Sequence, residues 1–466
     1  MESPPFKIGQ DEDRVSALPD HLLLGILERL GLREEVRAGM VSTRWRHLPH
    51  QLSRLNIYAK DFHSAARPAP HEIMEVYTAT MLRLLSAKCE CDCKSSRAVK
   101  TIVLHFYLSA PHLSSIGHAV EDVVSLGKTR KLGFWIRPPS SHPSHAELAE
   151  FGRQFISFSR MYPVAFRWLT ELTLEKLAFG DSGVADLISA CNSLKCLTLR
   201  SCRLVEHSTL KIDTPCSCLT NLTLIKFYCT QIELISLPKL RTVACKSRSS
   251  ENPPVRFGYV PELSIVHLSF QAKAGQAPFA LSKWLPRSAG NNLSKLYLNF
   301  VCQMIWIQPE HPKQLTPIFR NLTDMWLARI FPECDLNWTL FILEAAPSLQ
   351  HFKVYRIRHS CVKRSMDSAE KTNVVWEPSK DFKHLNLKLL VMEGFEDEDK
   401  VTNYIRLVME RAVVLKRIEL HGNTCNSCND STLESPGRFQ VDEASRHRVK
   451  ERLTHESSSS VEIIII

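Results

Sequence analysis

No stretch of this chain is apolar for the ~20 residues a membrane-spanning helix needs, and the closing run Ile463–Ile466 falls far short of that length. The first residues, Met1 to Asp13, are polar and acidic and lack the apolar segment of a secretory signal. Neither export nor membrane insertion is therefore expected, and the compartment is predicted to be cytoplasm or nucleus. Fifteen cysteines in such a chain read as reduced thiols, most of them small buried apolar groups. A strong charge excess is also missing. The net charge of +10 is spread over 466 residues, so no nucleic-acid partner is expected.

Catalytic and metal signatures are equally thin. Gly127-Lys128-Thr129 has the end of a phosphate-binding loop, but Asp122 stands where the loop's first glycine is required and would repel phosphate. Gly180-Asp181-Ser182-Gly183 precedes Val184 rather than another glycine, and an Asp-Ser helix cap is the better reading. Cys89-x-Cys91-x-Cys93 and Cys425-x-x-Cys428 each lack the second pair that closes a zinc site. Glu396 to Asp399 reads as a solvated acidic loop at a helix N-terminus. No metal, cofactor or catalytic residue is predicted, and the chain is not expected to be an enzyme.

Two organised regions are present. Residues 14–50 read as three short helices. Pro19 suits a first helical turn. Leu22, Leu23, Ile26, Leu27 and Leu30 recur at helical spacing, and Gly31 ends the run. Glu34 and Glu35 open a second helix carrying Val36 and Met40, and Ser42 caps a third carrying Trp45 and Leu48. So small a module leaves apolar surface for a partner.

The rest of the chain repeats the pattern apolar-x-x-apolar-x-apolar thirteen times. It begins at Leu52-Leu55-Ile57, Val99-Ile102-Leu104 and Thr129-Leu132-Phe134. From Leu169 the first positions fall at Leu194, Leu219, Leu240, Leu263, Leu293, Leu322, Leu349, Leu387 and Leu415, in steps of 25, 25, 21, 23, 30, 29, 27, 38 and 28 residues. Most steps lie in or near the ~20–29 residues of leucine-rich repeats. The last two apolar positions of each unit share one strand face, which must turn inward; stacking joins them into one core. Val184, Leu187, Ile188 and Cys191, and likewise Ile405, Val408, Met409 and Ala412, predict amphipathic return helices. Segments 137–147, 246–256, 271–279, 308–316, 358–381 and 422–438 read as rim loops, and Val441–Ile466 as a helix followed by a last strand or a frayed tail. The fold class is thus α/β: a three-helix module, then an irregular solenoid with a curved parallel sheet and helices on its convex side.

The stretch Arg14-Val15-Ser16-Ala17-Leu18-Pro19-Asp20-His21-Leu22-Leu23, with Ile26-Leu27 and Val41-Ser42-Thr43-Arg44-Trp45-Arg46-His47-Leu48, resembles the F-box. That resemblance implies binding to a Skp-type adaptor, and through it to a cullin and a RING subunit. Leu18, Pro19, Leu22, Leu23, Ile26, Leu27, Val41 and Trp45 match its adaptor-facing positions. Leu387-Lys388-Leu389-Leu390, Glu393-Gly394-Phe395 and Leu415 to Leu420 resemble the FBD module of plant-type F-box proteins with leucine-rich repeats. The organisation expected is 1–13 as a disordered N-terminus, 14–50 as F-box, 51–383 as repeats, 384–422 as FBD-like units and 423–466 as loop and C-terminal tail.

The resemblance implies a non-catalytic substrate-recognition subunit of a Skp–cullin–F-box ubiquitin ligase, whose repeats hold a protein substrate. A repeat scaffold, or a sensor completed by a small ligand, acting without a ligase, remains the alternative. Strand positions flanking the inward residues face outward, among them Arg200, Lys246, His267, Arg417 and His421. Lys295, Tyr297, Trp326, Lys353 and Tyr355 are expected to form one patch, with Trp326 between Tyr297 and Tyr355 and the two lysines on the row beside them. Basic and aromatic side chains together suit an acidic or phosphorylated partner, or else form a solvated sheet face.

Overall fold

The computed structural model describes residues 18–31, 34, 37–38, 45, 48, 52–63, 68–86, 99–206, 208–246, 254–269, 278–285, 292–301, 305, 307–331, 334–357, 376, 379, 381–422, 443–455 and 461–466. It divides into two units, one of residues 1–175 with 190–194, the other of residues 176–189 with 195–466.

The first unit opens with the helix Asp20–Leu27, Pro19 standing at its N-cap. Its inward residues Leu23 and Leu27 form a small core with Leu48 and Leu52, flanked by Leu18, Leu24, Ala38 and Trp45. Leu52 is the first apolar residue of the first repeat, so the helical module and the repeat share a core. Ser53 reinforces the junction, its hydroxyl donating to the Glu28 carboxylate at 2.6 Å.

Four parallel strands follow, Arg54–Tyr58, Thr101–Tyr107, Lys131–Arg137 and Glu171–Glu175, each paired with the next in sequence. Helices return the chain between them. In Ala110–Ser125 the buried residues Leu113, Ile116, Gly117, Val120 and Val124 fall at helical spacing. In His145–Met161, Ser144 and Glu147 close a capping box. A Cβ at Gly117 would collide with the Tyr162 ring, so glycine there permits the helix to close on that ring. Phe106, Phe134, Phe158 and Phe166 fill the interior with edge-to-face contacts.

Among the described residues, the second unit carries ten parallel strands of the large sheet. Cys196–Arg200, Asn221–Ile225, Thr242–Lys246, Ile265–Ser269 and Lys295–Asn299 come first. Asp324–Ile330, His351–Arg356, Leu389–Glu393, Arg417–His421 and Glu462–Ile465 follow. The inward residues stand in lateral rows. Leu197 pairs with Leu222, then Val243, Val266, Leu296, Met325, Phe352, Leu390, Ile418 and Ile463. These ten side chains are buried. The register follows from the side-chain period of two, since a one-residue slip would turn every apolar pair to solvent. All thirteen units anticipated from sequence are strands, and the final isoleucines add a fourteenth after the helix Glu443–Thr454.

Parts of two segments expected as rim loops are structured instead. Residues 308–316 overlap the helix Pro312–Phe319, which buries Leu315, Ile318 and Phe319 despite Pro317. Pro312 occupies its first turn, where a missing N–H costs nothing, and the proline and charge content concealed the apolar stripe. Of 246–256, residues 247–253 lie outside the described residues, and 255–256 begin the strand Val255–Tyr259, which forms a smaller parallel sheet with Ile232–Ser236 and, beyond it, Leu210–Asp213. Within 137–147, the helix beginning at His145 takes the last three positions. Most of 271–279, 358–381 and 422–438, and the clusters at Cys89–Cys93 and Cys425–Cys428, lie outside the described residues.

Candidate functional sites

The first helix presents two different faces. Leu23 and Leu27 are fully buried, whereas Leu22 and Ile26 remain 46% and 39% exposed, and Leu30, in the turn after the helix, 40%. Pro19 is exposed beside them, and Leu18 and Trp45 are half-buried against the small core. The apolar stripe read from sequence as one surface is therefore two. One side holds the module together, and the other offers unpartnered leucine and isoleucine. Val41 lies outside the described residues.

The outward face of the second unit brings most of the expected patch together, in a different arrangement. Strand register aligns His267, Tyr297, Trp326 and Lys353 as one row. The row beside it runs Lys295, Asp324 and His351. Lys353 thus occupies the place beside Trp326 expected for Tyr355, and Tyr355 pairs with Glu393 further along. Nor do the two lysines share a row. The cause is the inward triplet Leu296, Met325 and Phe352, whose pairing fixes all other positions.

His267 stacks on Tyr297 with centroids 5.3 Å apart, and Lys353 Nζ lies 5.9 Å from the centre of the Trp326 ring. The cation strengthens its contact through the negative face of the indole. Burial and the nearby charge of Lys246 lower the His267 pKa, so this ring is an uncharged platform at neutral pH. Burial raises the Tyr297 pKa, and the phenol stays protonated.

Asp324 accepts from His351 at 3.0 Å and from Thr323 at 2.7 Å. Its partial burial pushes the carboxyl pKa up, but these hydrogen bonds and the charge of Lys295 outweigh it, and the net shift is downward. Sequence reading had not singled out Asp324 or His351, though the alternation that exposed Lys295 places both at the same outward position. The depression enclosed by these residues has a volume of about 190 Å³. Arg417 and His421 are less available, since Arg417 pairs with Glu462 at 2.8 Å and His421 approaches Glu419 at 3.7 Å.

The acidic stretch Glu396–Asp399 is not freely solvated. Arg452 binds both Asp397 and Asp399, and the buried Arg356 meets Glu398 at 3.2 Å. Just before it, Gly394 has φ +68°, and a Cβ there would strike the Arg356 carbonyl oxygen. Of the eight cysteines described as free thiols, Cys191, Cys202, Cys229, Cys245 and Cys334 are buried, and desolvation raises the Cys191 and Cys229 pKa values to about 12. Among the described residues, no helix is long and apolar enough to cross a membrane.

Comparison with known proteins gives two family matches. The sequence model of the At1g61320/AtMIF1 LRR domain matches residues 155–461, and that of the F-box domain matches residues 15–55. The chain is similar to three curated proteins of Arabidopsis thaliana. With F-box/FBD/LRR-repeat protein At5g18770 it shares 39% identity over 70 residues, 15% of this chain and 14% of that protein. With putative F-box/FBD/LRR-repeat protein At3g49030 it shares 24% over 209 residues, 44% and 45% of the two chains. With F-box/FBD/LRR-repeat protein At1g80470 it shares 27% over 197 residues, 41% and 40%. The matches span less than half the length of each relative.

Proposed function

Because the chain belongs to the At1g61320/AtMIF1 LRR-domain family and carries an F-box ahead of those repeats, we propose that it is the substrate-recognition subunit of a Skp–cullin–F-box ubiquitin ligase. The observation carrying this reading is the outward pair Leu22 and Ile26 on a helix whose opposite side is already filled, with the exposed Leu30 in the turn that follows. Exposed aliphatic side chains on successive turns gain by burial, at ~25 cal/mol per Å² of apolar surface removed from water. A Skp-type adaptor is the partner that the F-box implies, and a cullin with its RING subunit would follow through the adaptor.

The repeats then present a bound protein to the ubiquitin-charged enzyme. The gain is effective concentration, with no chemistry asked of this chain's side chains. The row His267, Tyr297, Trp326 and Lys353 is the proposed substrate surface, offering aromatic anchors beside a cation. Residues 384–422 are read as an FBD module, in keeping with the names of the relatives. The test is affinity purification under proteasome inhibition, comparing the intact chain with one carrying Leu22→Asp and Ile26→Asp. Adaptor and cullin should accompany only the intact chain. Their absence from both would move the reading to a repeat scaffold acting outside a ligase.

A further inference from the structure

A second aromatic recess lies in the first unit, and neither the F-box nor the proposed substrate surface uses it. Its floor is a lateral row on the first three strands, where Tyr58 pairs with His105 and His105 with Trp135. The rings form a continuous wall. Tyr58 and His105 have centroids 4.4 Å apart, and His105 and Trp135 4.6 Å. Two cations flank the wall. Lys60 Nζ sits 5.0 Å from the Tyr58 ring centre, and the Arg137 guanidinium lies 4.7 Å from that of Tyr107. The volume is about 200 Å³, and the described lining contains no carboxylate.

The charges are held in place differently. Arg137 donates from Nη2 to the Tyr107 hydroxyl at 2.7 Å, and His63 Nε2 meets the same hydroxyl at 3.0 Å. This brace orients the guanidinium while leaving the rest of its donor fork for a ligand. Lys60 is exposed, with the Tyr58 ring beneath it. His105 belongs to the wall rather than to the charged set. Burial first, then the positive charges of Lys60 and Arg137, lowers its pKa to about 4.

Aromatic rings set at 73° and 52° to one another, under two cations and with no carboxylate in the described lining, suit an aromatic anion. The recess is smaller than the ~300–1,000 Å³ of sites that enclose a whole small molecule, and suits a single side chain. Arginine forks bind phosphate bidentately, and aromatic rings pack edge-to-face or offset on one another. We infer that the recess receives a phosphorylated tyrosine side chain of a protein partner, its ring against His105 and Trp135 and its phosphate between Arg137 and Lys60. Adaptor docking plays no part in this, so it stands or falls apart from the ligase reading.

Phenyl phosphate is the probe, titrated into the full chain and followed by ligand-observed NMR, with inorganic phosphate and phenol as separate arms. Phenyl phosphate should bind at least fivefold more tightly than either, and Lys60→Gln and Arg137→Gln should each weaken it at least fivefold. Lys211→Gln, at an exposed strand position in the other unit and outside both recesses, should leave it unchanged. Arg137 also braces Tyr107, so Arg137→Gln is read with its melting temperature; Lys60 is exposed, and Lys60→Gln gives the cleaner answer. Equal binding of inorganic phosphate, equal binding of phenol, or full affinity in Lys60→Gln would overturn the inference.

Discussion

The Trp326 ring meets the Tyr297 ring edge-on, with centroids 4.7 Å apart and planes at 86°. Adjacent strands place the two side chains directly opposite, and Lys353 approaches the indole from the other side. Trp326 is thus held by its neighbours while 36% of it faces solvent. A pre-oriented exposed tryptophan is a strong candidate anchor, because little rotamer freedom remains to be lost on binding. Trp326→Ala is expected to reduce partner capture at least tenfold, about 1.4 kcal/mol or more. Lys353→Gln keeps the ring pair and should weaken capture chiefly at low salt, since the exposed charge is screened. Quantitative affinity purification at two salt concentrations checks both. Unchanged recovery of the same proteins by both variants would place the substrate elsewhere.

Within the F-box helix, the two faces predict opposite phenotypes. Leu22→Asp with Ile26→Asp alters exposed positions, so the melting profile should shift little while adaptor co-purification is lost. Leu23→Asp places a carboxylate in the core shared with Leu27, Leu48 and Leu52, and should cost several kcal/mol. Limited proteolysis should then cut the region around residues 20–50 rapidly. Adaptor loss without local proteolysis in Leu23→Asp would show that this leucine acts at the interface rather than in the core.

The repeats were legible because their signal is redundant. Each inward pair, such as Leu197 and Leu199, has an equivalent in the next unit, and an error at one unit is corrected by its neighbours. Even Thr129-Leu132-Phe134, whose first position is a threonine, is a repeat unit. Thr129 is buried, its hydroxyl donating to the Val99 carbonyl at 3.0 Å. The return segments carry no such redundancy. The strand Val255–Tyr259 has mixed burial, and its partner Ile232–Ser236, with Leu210–Asp213 on that strand's other side, was hidden within returns read only for helices. The first-unit recess was missed for a different reason. His105 and Trp135 alternate with inward residues as clearly as Tyr297 does, but nothing in composition marks two rings separated by 30 residues as neighbours until register is known. The F-box stripe shows the converse limit. Helical spacing groups Leu22, Leu23, Ile26 and Leu27, and only the position of Leu48 and Leu52 decides which pair turns inward.

Strand parity gives a sharp stability contrast. Leu222 is fully buried, and Thr223 beside it is half-exposed and flanked laterally by Thr198 and Ala244. Leu222→Asp should abolish cooperative folding of the second unit, whereas Thr223→Asp should change stability by about 0.5 kcal/mol or less. Thermal melts of the two variants decide the register, because a one-residue error would exchange their effects.

Acid should loosen the Arg356–Glu398 pairing. Partial burial raises the Glu398 pKa, but Arg356, a hydrogen bond from Glu396 and Lys400 outweigh it, and the net value lies below that of an ordinary glutamate. A carboxyl depressed in the folded state contributes stability above its unfolded pKa and loses it as pH falls through the folded value. Glu398→Gln should therefore destabilise the chain at neutral pH and lessen the decline in melting temperature between about pH 5 and pH 3. A parallel decline in wild type and variant would show that the pair carries no pH-linked stability.

The turns that leave the strands hold a small reserve of strain. Lys176, Ser201 and Lys226 each follow the second inward leucine by two residues, and their φ angles are +56°, +50° and +52°. Arg329 stands in the same place after Leu327, at +55°. A side chain in the left-handed region costs of order 1 kcal/mol, and glycine adopts it freely. The same local turn therefore recurs with residues that disfavour it, held there by ladder bonds such as Lys226 N–H to the Lys246 carbonyl at 2.7 Å. Lys226→Gly removes the Cβ conflict but frees the unfolded chain, so the two effects oppose one another. At a positive φ the first should prevail, and Lys226→Gly is expected to stabilise the second unit by roughly 0.5–1 kcal/mol. Lys226→Ala separates the contributions: it discards the same long side chain yet keeps a Cβ in the left-handed turn, so it should not stabilise. Melting both variants beside wild type gives the answer. A gain in Lys226→Ala equal to that in Lys226→Gly would trace the effect to loss of the lysine side chain and refute backbone strain as its source.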